Sequence, residues 1–168
     1  MNSQFISSAK RVILSEKEYE LSIIEKLVTQ NPAGCVIEIG VNVVYLAREL
    51  LSSNDIRQYA LQKLCAAFSK AGIAFTQYID SEYTFLLVSD SGVRSIKRIC
   101  CDIEEGYRLL DIDVYDAHGC VSRLDIGLSE RKCFLCDEAA SWCIFNEMHS
   151  AEELLEYTLT YMKNDSGT

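Results

Sequence analysis

The chain has 168 residues, of which 49% are apolar and 24% are charged, a composition typical of a globular domain with a hydrophobic core. Its formal net charge of −9 argues against general binding to nucleic acid or to anionic membranes. No apolar run reaches the roughly 20 residues needed to cross a bilayer. Residues 1–5 lack the basic start and apolar stretch of a secretion signal, so we expect a cytoplasmic protein.

The N-terminal half predicts two helices and one strand. A capping-box pattern at residues 15–18, followed by apolar residues at helical spacing, predicts a helix that ends near Pro32, because proline cannot continue it. Valine and isoleucine dominate residues 35–44 and predict a strand. A second helix is expected over residues 54–71, with Gly72 as its C-terminal cap.

The middle of the chain changes to short apolar runs separated by turn residues, which is typical of antiparallel hairpins. The predicted strands are residues 73–79, 83–89, 93–102, 107–115 and 120–126. Two helices, over residues 131–148 and 150–162, are expected to close the chain. The second of them follows a capping box formed by Ser150 and Glu153.

These elements predict a single α+β domain over residues 1–168. Its sheet is expected to be mostly antiparallel with about five to six strands, two helices in the N-terminal half and two C-terminal helices. No change of composition and no linker divides the chain. Residues 1–10 and 164–168 are expected to be flexible.

Asp111 and Asp113 are candidate ligands for a divalent cation. Alternation along residues 109–114 places both carboxylates on one face of a strand and the apolar side chains on the other. Such a pair can hold Mg²⁺ for phosphoryl or nucleotidyl transfer, with Asp116 or Asp125 as a third carboxylate. The alternative is a solvated strand face that happens to carry two acids.

Positive charge is concentrated in the middle of this acidic chain. Seven of the sixteen Lys and Arg residues fall between positions 94 and 132. Arg108 lies at the start of the strand that carries the carboxylates, and Arg123 lies on the next predicted strand, so both are candidate phosphate clamps. Solubilising surface charge is the alternative interpretation.

Three cysteines and a histidine form a second candidate site. Cys133, Cys136, Cys143 and His149 have the ligand types and the close first pair of a structural zinc site. The alternative places the three thiols on one face of the predicted 131–148 helix as small buried side chains. Disulfides are not the default for the eight cysteines of a cytoplasmic chain, and no cysteine has the paired histidine that a nucleophilic cysteine usually needs.

The order and spacing of these motifs over about forty residues resemble the signature of apo-citrate lyase phosphoribosyl-dephospho-CoA transferases, also called holo-citrate lyase acyl carrier protein synthases. The matching residues are 108–114, Gly119, Ser122, Arg123, 131–136, Ala140, Cys143, His149 and Ser150, together with Asn42 in the valine-rich strand.

The resemblance implies a reaction, its partners and roles for individual residues. The family transfers the prosthetic group of 2'-(5''-triphosphoribosyl)-3'-dephospho-CoA to a serine of the acyl carrier (gamma) subunit of citrate lyase and releases diphosphate. By this resemblance Asp111 and Asp113 bind Mg²⁺, and Arg108 and Arg123 hold the triphosphate, all four as catalytic residues. The implied substrate-binding residues are Arg131, Lys132 and Asn42.

The chain departs from the family pattern at three places. Residues 43–46 stand where the family has a Pro-Gly-Pro turn followed by lysine, residues 104–107 where it has His-Pro-Leu-Gly, and residues 144–145 where it usually has an arginine. These departures leave two alternatives to catalysis. One is a diverged, non-catalytic maturation module that binds the carrier, and the other is a small zinc-stabilised domain.

Overall fold

The fold places helices on both faces of an antiparallel sheet, in a computed structural model that describes residues 3–42, 53–80, 83–88 and 92–165. The helices are α1 (Ser3–Gln30), α2 (Ser53–Ala71), α3 (Val93–Gly106), α4 (Ala140–Phe145) and α5 (Ala151–Asp165). The strands are β1 (Cys35–Val41), β2 (Phe75–Asp80), β3 (Tyr83–Val88), β4 (Leu110–Asp116) and β5 (Gly119–Cys120), in the spatial order β2-β3-β1-β4-β5. Every neighbouring pair is antiparallel, so the predicted α+β class is confirmed.

The larger hydrophobic core lies between one face of the sheet and helices α2 and α3. Alternation along β1 and β4 directs Ile37, Ile39, Ile112 and Val114 into this core, where Phe68 of α2 is also buried. The opposite face of the sheet is covered by α1 through a smaller cluster of Ile23, Ile24, Leu27, Val36 and Phe85. The central strand β1 is therefore covered on both faces, which explains its nearly continuous apolar sequence.

Helix α1 is longer than predicted. It ends at Gln30, close to Pro32 as expected, but it begins at Ser3 and not at the capping-box pattern of residues 15–18. A capping box satisfies the free N–H groups of a first helical turn, and inside a continuous helix those groups already have partners. The flexibility expected for residues 1–10 and 164–168 stays a prediction, although residues 3–10 lie in α1 and residues 164–165 in α5.

The predicted strand over residues 93–102 is wrong, because this segment forms helix α3. Its buried residues are Ile96, Lys97, Cys100, Cys101 and Glu104. Their spacing follows the 3.6-residue period of a helix and places one face of α3 against the sheet. The short apolar run alone does not distinguish the two periods.

The predicted strand over residues 120–126 is also mostly wrong. Only Gly119 and Cys120 pair with β4, and the chain then turns into a 3₁₀ segment, Leu124–Ile126. The Oδ2 atom of Asp125 accepts hydrogen bonds from the backbone N–H and the hydroxyl of Ser122, at 2.8 and 2.6 Å. This local side-chain hydrogen bonding competes with continuation of the strand.

The predictions for Gly72, for the capping box at Ser150 and for the first strand agree with the structure, wholly or in part. Gly72 follows α2 with φ of +69°, the left-handed conformation expected of a C-terminal cap. The backbone N–H of Ser150 donates to Oε2 of Glu153 at 2.8 Å, and the N–H of Glu153 donates to Oγ of Ser150 at 3.2 Å. The capping box before α5 is therefore confirmed. The predicted strand over 35–44 ends at Val41, and its residues 43–44 lie outside the described residues.

Two buried side chains of α3 form hydrogen bonds with the backbone at the outer edge of β4. Strand β5 is only two residues long, so among the described residues most of the outer edge of β4 has no neighbouring strand. The Nζ atom of Lys97 donates to the carbonyl oxygen of Ile112 at 3.1 Å, and the N–H of Ile112 donates to Oε1 of Glu104 at 2.9 Å. These buried side chains replace the hydrogen bonds of a missing strand. Within the described residues, no helix is both long and apolar enough to cross a membrane.

Candidate substrate pocket and metal cluster

A pocket of about 580 Å³ lies between the end of β1, residues 131–134, α4 and the start of α5. Its volume is within the range of roughly 300–1,000 Å³ that is usual for small-molecule sites. Asn42, Arg131 and Lys132 all line it. The fold thus brings the three predicted substrate-binding residues together, although Asn42 is far from the other two in the sequence.

Arg131 joins this pocket to strand β4. Its Nη2 atom donates to the carbonyl oxygen of Leu110 at 2.8 Å and also to that of Arg108. Its Nη1 atom lies 3.3 Å from Oδ1 of Asp111 and 3.7 Å from Oε1 of Glu104. Asp111 is therefore positioned next to the pocket by the same guanidinium that lines it.

Arg108 contacts the chain immediately after Arg131. Its Nη2 atom donates to the carbonyl oxygens of Lys132 and Cys133 at 3.0 and 2.9 Å. Its guanidinium carbon lies 5.4 Å from the centre of the Phe134 ring, and that ring stacks on Tyr157 of α5 at 5.1 Å. The predicted phosphate clamp is thus bonded to backbone of the protein itself, and its role with phosphate stays a prediction.

Arg123, the other predicted clamp, is not among the residues that line the pocket. Its Nη2 atom lies 3.4 Å from Oε2 of Glu104, and its Nη1 atom lies 3.4 Å from Oε1 of Glu105. Glu104 therefore links Arg123 and Arg131, in addition to accepting the N–H of Ile112. A catalytic role for Arg123 stays a prediction.

Asp111 and Asp113 share one face of β4, as the alternation predicted. The Nζ atom of Lys97 lies 3.8 Å from Oδ1 of Asp113. Although about half of the Asp111 side chain is exposed (49%), loss of solvent around its carboxyl group raises the pKa of Asp111 to about 6. The charge of Asp113 adds to this rise, and the charge of Arg131 opposes it.

The two acids considered as a third cation ligand have other roles in the structure. Oδ1 of Asp116 accepts the backbone N–H of His118 at 2.7 Å within the turn between β4 and β5. Asp125 caps the turn that contains Ser122. In the part of the chain that the structure describes, no three carboxylates converge closely enough to share one ion.

Sequence reasoning missed two buried acids on the α1 side of the sheet. Glu38 of β1 lies opposite Asp113 in the β1–β4 register, and both Glu38 and Glu20 of α1 are buried. Burial raises the pKa of Glu38 to about 9, and a hydrogen bond with Glu20 contributes to this rise. A single glutamate in a valine- and isoleucine-rich strand was the available signal.

Residues 131–140 form a tight turn that we call the cysteine hairpin. Lys132 and Ala139 make an antiparallel bridge, the N–H of Cys133 donates to the carbonyl oxygen of Glu138, and the N–H of Ala140 donates to that of Arg131. The predicted helix over residues 131–148 is therefore wrong except for α4. The alternative that placed the three thiols along one face of that helix is wrong for the same reason.

The ligand atoms of Cys133, Cys136, Cys143 and His149, here called the Cys3His cluster, all lie within 4.8 Å of one another. The Sγ atom of Cys136 is 3.4 Å from Sγ of Cys143 and 3.4 Å from Nε2 of His149. All eight cysteines are free thiols. This is a group that can hold a metal ion, and it is the one such group within the described residues.

Hydrogen bonds to Cys133 favour its thiolate form. Burial alone would raise the pKa of the Cys133 thiol, but the backbone N–H groups of Leu135 and Cys136 and the neighbouring thiols lower it. The Leu135 nitrogen lies 3.5 Å from the Cys133 Sγ atom. Because metals bind the thiolate, this environment suits a metal ligand.

Fold and site together define an α+β domain in which a pocket lined by Arg131 and Lys132 lies beside a Cys3His cluster, and in which Arg131 also contacts Asp111 of β4. A model of the family described as apo-citrate lyase phosphoribosyl-dephospho-CoA transferase matches residues 9–165. The chain belongs to this family, and the resemblance found in its motifs is confirmed.

Several curated relatives are similar to parts of the chain. It is 31% identical over 115 residues to "Protein CitXG" of Haemophilus influenzae, and the matched segment covers 62% of this chain and 24% of that protein. It is 29% identical over 107 residues to a "Probable apo-citrate lyase phosphoribosyl-dephospho-CoA transferase" of Vibrio cholerae, and the matched segment covers 60% of this chain and 60% of that protein. It is 25% identical over 150 residues to "Protein CitXG" of Leuconostoc mesenteroides, and the matched segment covers 84% of this chain and 32% of that protein. The matches thus span less than two thirds of each relative's length.

Proposed function

We propose that this protein transfers the prosthetic group of 2'-(5''-triphosphoribosyl)-3'-dephospho-CoA to a serine hydroxyl of the acyl carrier (gamma) subunit of citrate lyase. The serine oxygen forms a bond to the α-phosphorus of the triphosphate. The bond between that phosphorus and the oxygen leading to the β-phosphorus breaks, so diphosphate leaves. The hydroxyl proton passes to solvent, and the product is a phosphodiester.

Family membership over residues 9–165 carries this proposal, and the position of the pocket supports it. Asn42, Arg131 and Lys132 line one pocket, and Arg131 lies 3.3 Å from Asp111. Positive side chains suit the phosphates of the donor, while Asp111, which contacts Arg131 from outside the pocket lining, suits a divalent cation together with Asp113. Transfer of a nucleotide-like group requires both kinds of group close together.

We propose that Asp111 and Asp113 are the ligands of Mg²⁺ in this reaction. Carboxylate oxygens are donors that Mg²⁺ prefers, and burial followed by the charge of Asp113 raises the pKa of Asp111, so a bound cation would stabilise Asp111 as a carboxylate. Bound there, Mg²⁺ supplies positive charge that offsets the negative charge developing on the phosphates. Arg131 then faces the same phosphates from the pocket side.

The basic residues differ in how many contacts with the protein they already make, and therefore in how readily they can bind phosphate. Lys132 pairs with the fully exposed carboxylate of Asp137, at 3.2 Å, a contact that is weak in water and easily exchanged. Arg108 and Arg123 already use part of their guanidinium groups for the contacts described above. We therefore propose that Arg108 contributes mainly by positioning Lys132, and Arg123 by positioning Glu104.

We also propose that Zn²⁺ is the ion of the Cys3His cluster. Three thiols and one imidazole are a usual donor set for structural zinc, and thiolates about 2.3 Å from a tetrahedral ion lie roughly 3.8 Å apart. The observed separation of 3.4 Å between Sγ of Cys136 and Sγ of Cys143 is close to this value. Elemental analysis of protein purified under reducing conditions without added metal should find about one zinc per chain. Absence of zinc, or another metal in its place, would oppose this assignment.

A mass measurement tests the proposed transfer. The protein is incubated with apo acyl carrier subunit, Mg²⁺ and triphosphoribosyl-dephospho-CoA, and the carrier is examined by intact mass spectrometry. We expect the carrier to gain the mass of the prosthetic group with the natural protein and not with Asp111→Asn/Asp113→Asn.

The matched control is Asp116→Asn, because Asp116 lies on the same strand but is used in a turn. It should retain transfer. If the natural protein is folded and inactive beside an active family member, the proposal fails, and retained binding of the carrier would then favour the non-catalytic maturation module.

A further inference from the structure

The Cys3His cluster forms part of the wall of the candidate substrate pocket. Cys133, Cys143 and His149 all line that pocket. We propose that metal binding at the cluster shapes the pocket, so that the phosphate-bearing donor binds tightly only to the metal-loaded protein. The identity of the donor in this inference rests on the proposed function, whereas the dependence of the pocket on the metal does not.

The two cations of the pocket belong to the same hairpin as the first metal ligand. Arg131 and Lys132 directly precede Cys133, and the Lys132–Ala139 bridge joins them to the returning arm of the hairpin. The N–H of Cys133 donates to the carbonyl oxygen of Glu138 at 2.8 Å. Because Lys132 is the neighbour of Cys133 and Arg131 is the next residue before it, a displacement of Cys133 should also move both cations.

The base and the tip of the cysteine hairpin are held differently. At the base, the guanidinium of Arg108 bonds the carbonyl oxygens of Lys132 and Cys133, and Phe134 stacks on Tyr157. At the tip, Asp137 is exposed and Cys136 contacts the thiol of Cys143 and the ring of His149. The base is thus anchored to β4 and α5, while the tip is fixed mainly by its metal ligands.

Helix α4 also depends on the cluster. It has six residues, far fewer than the roughly 12–15 that a helix needs for stability on its own. Trp142, Ile144 and Phe145 are exposed by 47%, 78% and 87%, so apolar burial stabilises this helix little. Cys143 is the one fully buried residue of α4, and a bond from it to a metal ties the helix to the hairpin.

Neither Cys133 nor Cys143 belongs to the main hydrophobic core of the sheet. Because Arg108 and the stacked ring of Phe134 hold the base, loss of the metal should release residues 135–149 and widen the pocket while the sheet stays folded. The effect on the pocket is then separable from a general loss of structure. This separation makes the inference testable with a local measurement.

The experiment compares the zinc-loaded protein, the protein stripped with a chelator under reducing conditions, and Cys136→Ser. Cys65→Ser is the matched control, because it removes a thiol of α2 that is outside the cluster. Hydrogen exchange of residues 131–149 and the fluorescence of Trp142, the single tryptophan, report on the hairpin without any ligand. Replacement of zinc by Co²⁺ should give the visible absorption of a tetrahedral thiolate site, a readout that is independent of activity.

Ligand binding is then measured by titration calorimetry with triphosphoribosyl-dephospho-CoA and, as a probe of phosphate binding alone, with inorganic tripolyphosphate. In the stripped protein and in Cys136→Ser we expect faster exchange over residues 135–149, unchanged protection of β1 and β4, and affinities lower by about tenfold or more, the loss expected for one charge-assisted hydrogen bond. Reloading with zinc should restore the stripped protein, and Cys65→Ser should match the natural protein.

The results separate this inference from the proposed function. Equal affinity of the loaded and stripped proteins for both ligands, or unchanged exchange of residues 135–149, would overturn the inference even if transfer is active. Conversely, metal-dependent exchange and tripolyphosphate binding with no affinity for triphosphoribosyl-dephospho-CoA would support the inference and contradict the proposed function. Failure of the loaded protein to bind either ligand would overturn both.

Discussion

The sheet and the cysteine hairpin are stabilised by different interactions. In and around the sheet, large side chains such as Phe68, Leu110 and Ile112 are completely buried, so apolar burial dominates. Around the hairpin, Trp142 and Phe145 remain exposed, and polar, aromatic and thiol contacts hold the chain. We therefore expect that mutations in the candidate site can leave the domain folded. Mutations in the core, in turn, can destabilise the domain without contacting the site.

A network of charged side chains connects the two regions. Glu104 of α3 accepts the N–H of Ile112 in the sheet and faces the guanidinium of Arg131 in the hairpin. The Nη2 atom of Arg123 lies 3.4 Å from the other carboxylate oxygen of Glu104. Mutations in the core, in this network and in the pocket wall should therefore have effects of decreasing size on global stability.

The largest effect is expected for Phe68→Ala in the core. Phe68 is fully buried and packs edge-on against Phe75, so its removal leaves a cavity and should lower the free energy of unfolding by about 3–5 kcal/mol. The matched control is Phe145→Ala in α4, where an 87% exposed ring should contribute within about 0.5 kcal/mol. Urea unfolding of both variants measures the contrast, and similar losses at the two positions would contradict the separation of the two regions.

Glu104→Ala should have the next largest effect. It removes the acceptor of the buried Ile112 N–H and leaves Arg123 and Arg131 without their shared carboxylate, which should lower the free energy of unfolding by about 2–3 kcal/mol. Glu104→Gln keeps an acceptor for the N–H and removes the charge, so it should lose less. If the two variants lose equal stability, the hydrogen bond at the edge of β4 contributes nothing and charge alone explains the effect.

The sequence predicted four strands and three helices of the fold correctly, but two further predicted strands and most of one predicted helix are wrong. Strands β1 to β4 were found because their apolar residues alternate or form continuous runs bounded by turn residues. Helix α3 was missed because Ile96, Cys100 and Cys101 form a short apolar run that fits a strand as well as a helix. Only the packing of Lys97 and Glu104 against the edge of β4 decides between them, and that edge is not visible in a local pattern.

Three of the predicted site residues lie together in the structure, whereas the four predicted catalytic residues do not line the same pocket. Asn42, Arg131 and Lys132 were grouped by resemblance and do line one pocket. The bonds of Arg108 to backbone carbonyl oxygens could not be predicted, because the partners of a guanidinium depend on tertiary geometry. The convergence of Cys136 and His149 likewise depends on a hairpin that the spacing of the ligands does not reveal.

For Glu38→Gln we expect an effect on stability that is small at pH 5 and grows with pH. The pKa of Glu38 is about 9 in the folded protein and near 4.5 when unfolded, so between these values the folded state holds a proton that the unfolded state has lost. The stability of the natural protein should therefore decrease as pH rises through this window, by at most about 1.4 kcal/mol per pH unit. Glu38→Gln removes this contribution, so the variant should become more stable relative to the natural protein as pH rises.

Unfolding of both proteins in urea at pH 5, 6, 7 and 8 measures this slope. Glu25→Gln is the control, because Glu25 lies on the exposed side of α1 and its replacement should leave the slope unchanged. A constant difference between Glu38→Gln and the natural protein across the series would show that Glu38 ionises alike in the folded and unfolded states.

The smallest effect is expected for Ser150→Ala, which removes the cap of α5. The Ser150 hydroxyl accepts the N–H of Glu153 at 3.2 Å, and loss of such a cap destabilises by about 1 kcal/mol. The control is Ser141→Ala, which removes an exposed hydroxyl from α4. Because Ser150 lines the pocket and follows His149, a candidate metal ligand, this variant also assigns the start of α5 to one of the two regions. A lower midpoint of global unfolding with unchanged zinc affinity would place it with the sheet, whereas weaker zinc binding with an unchanged midpoint would place it with the cysteine hairpin. We expect the second result, since the aromatic contacts of Tyr157 and Tyr161 hold the later turns of α5 and leave its first turn dependent on the cap and on His149.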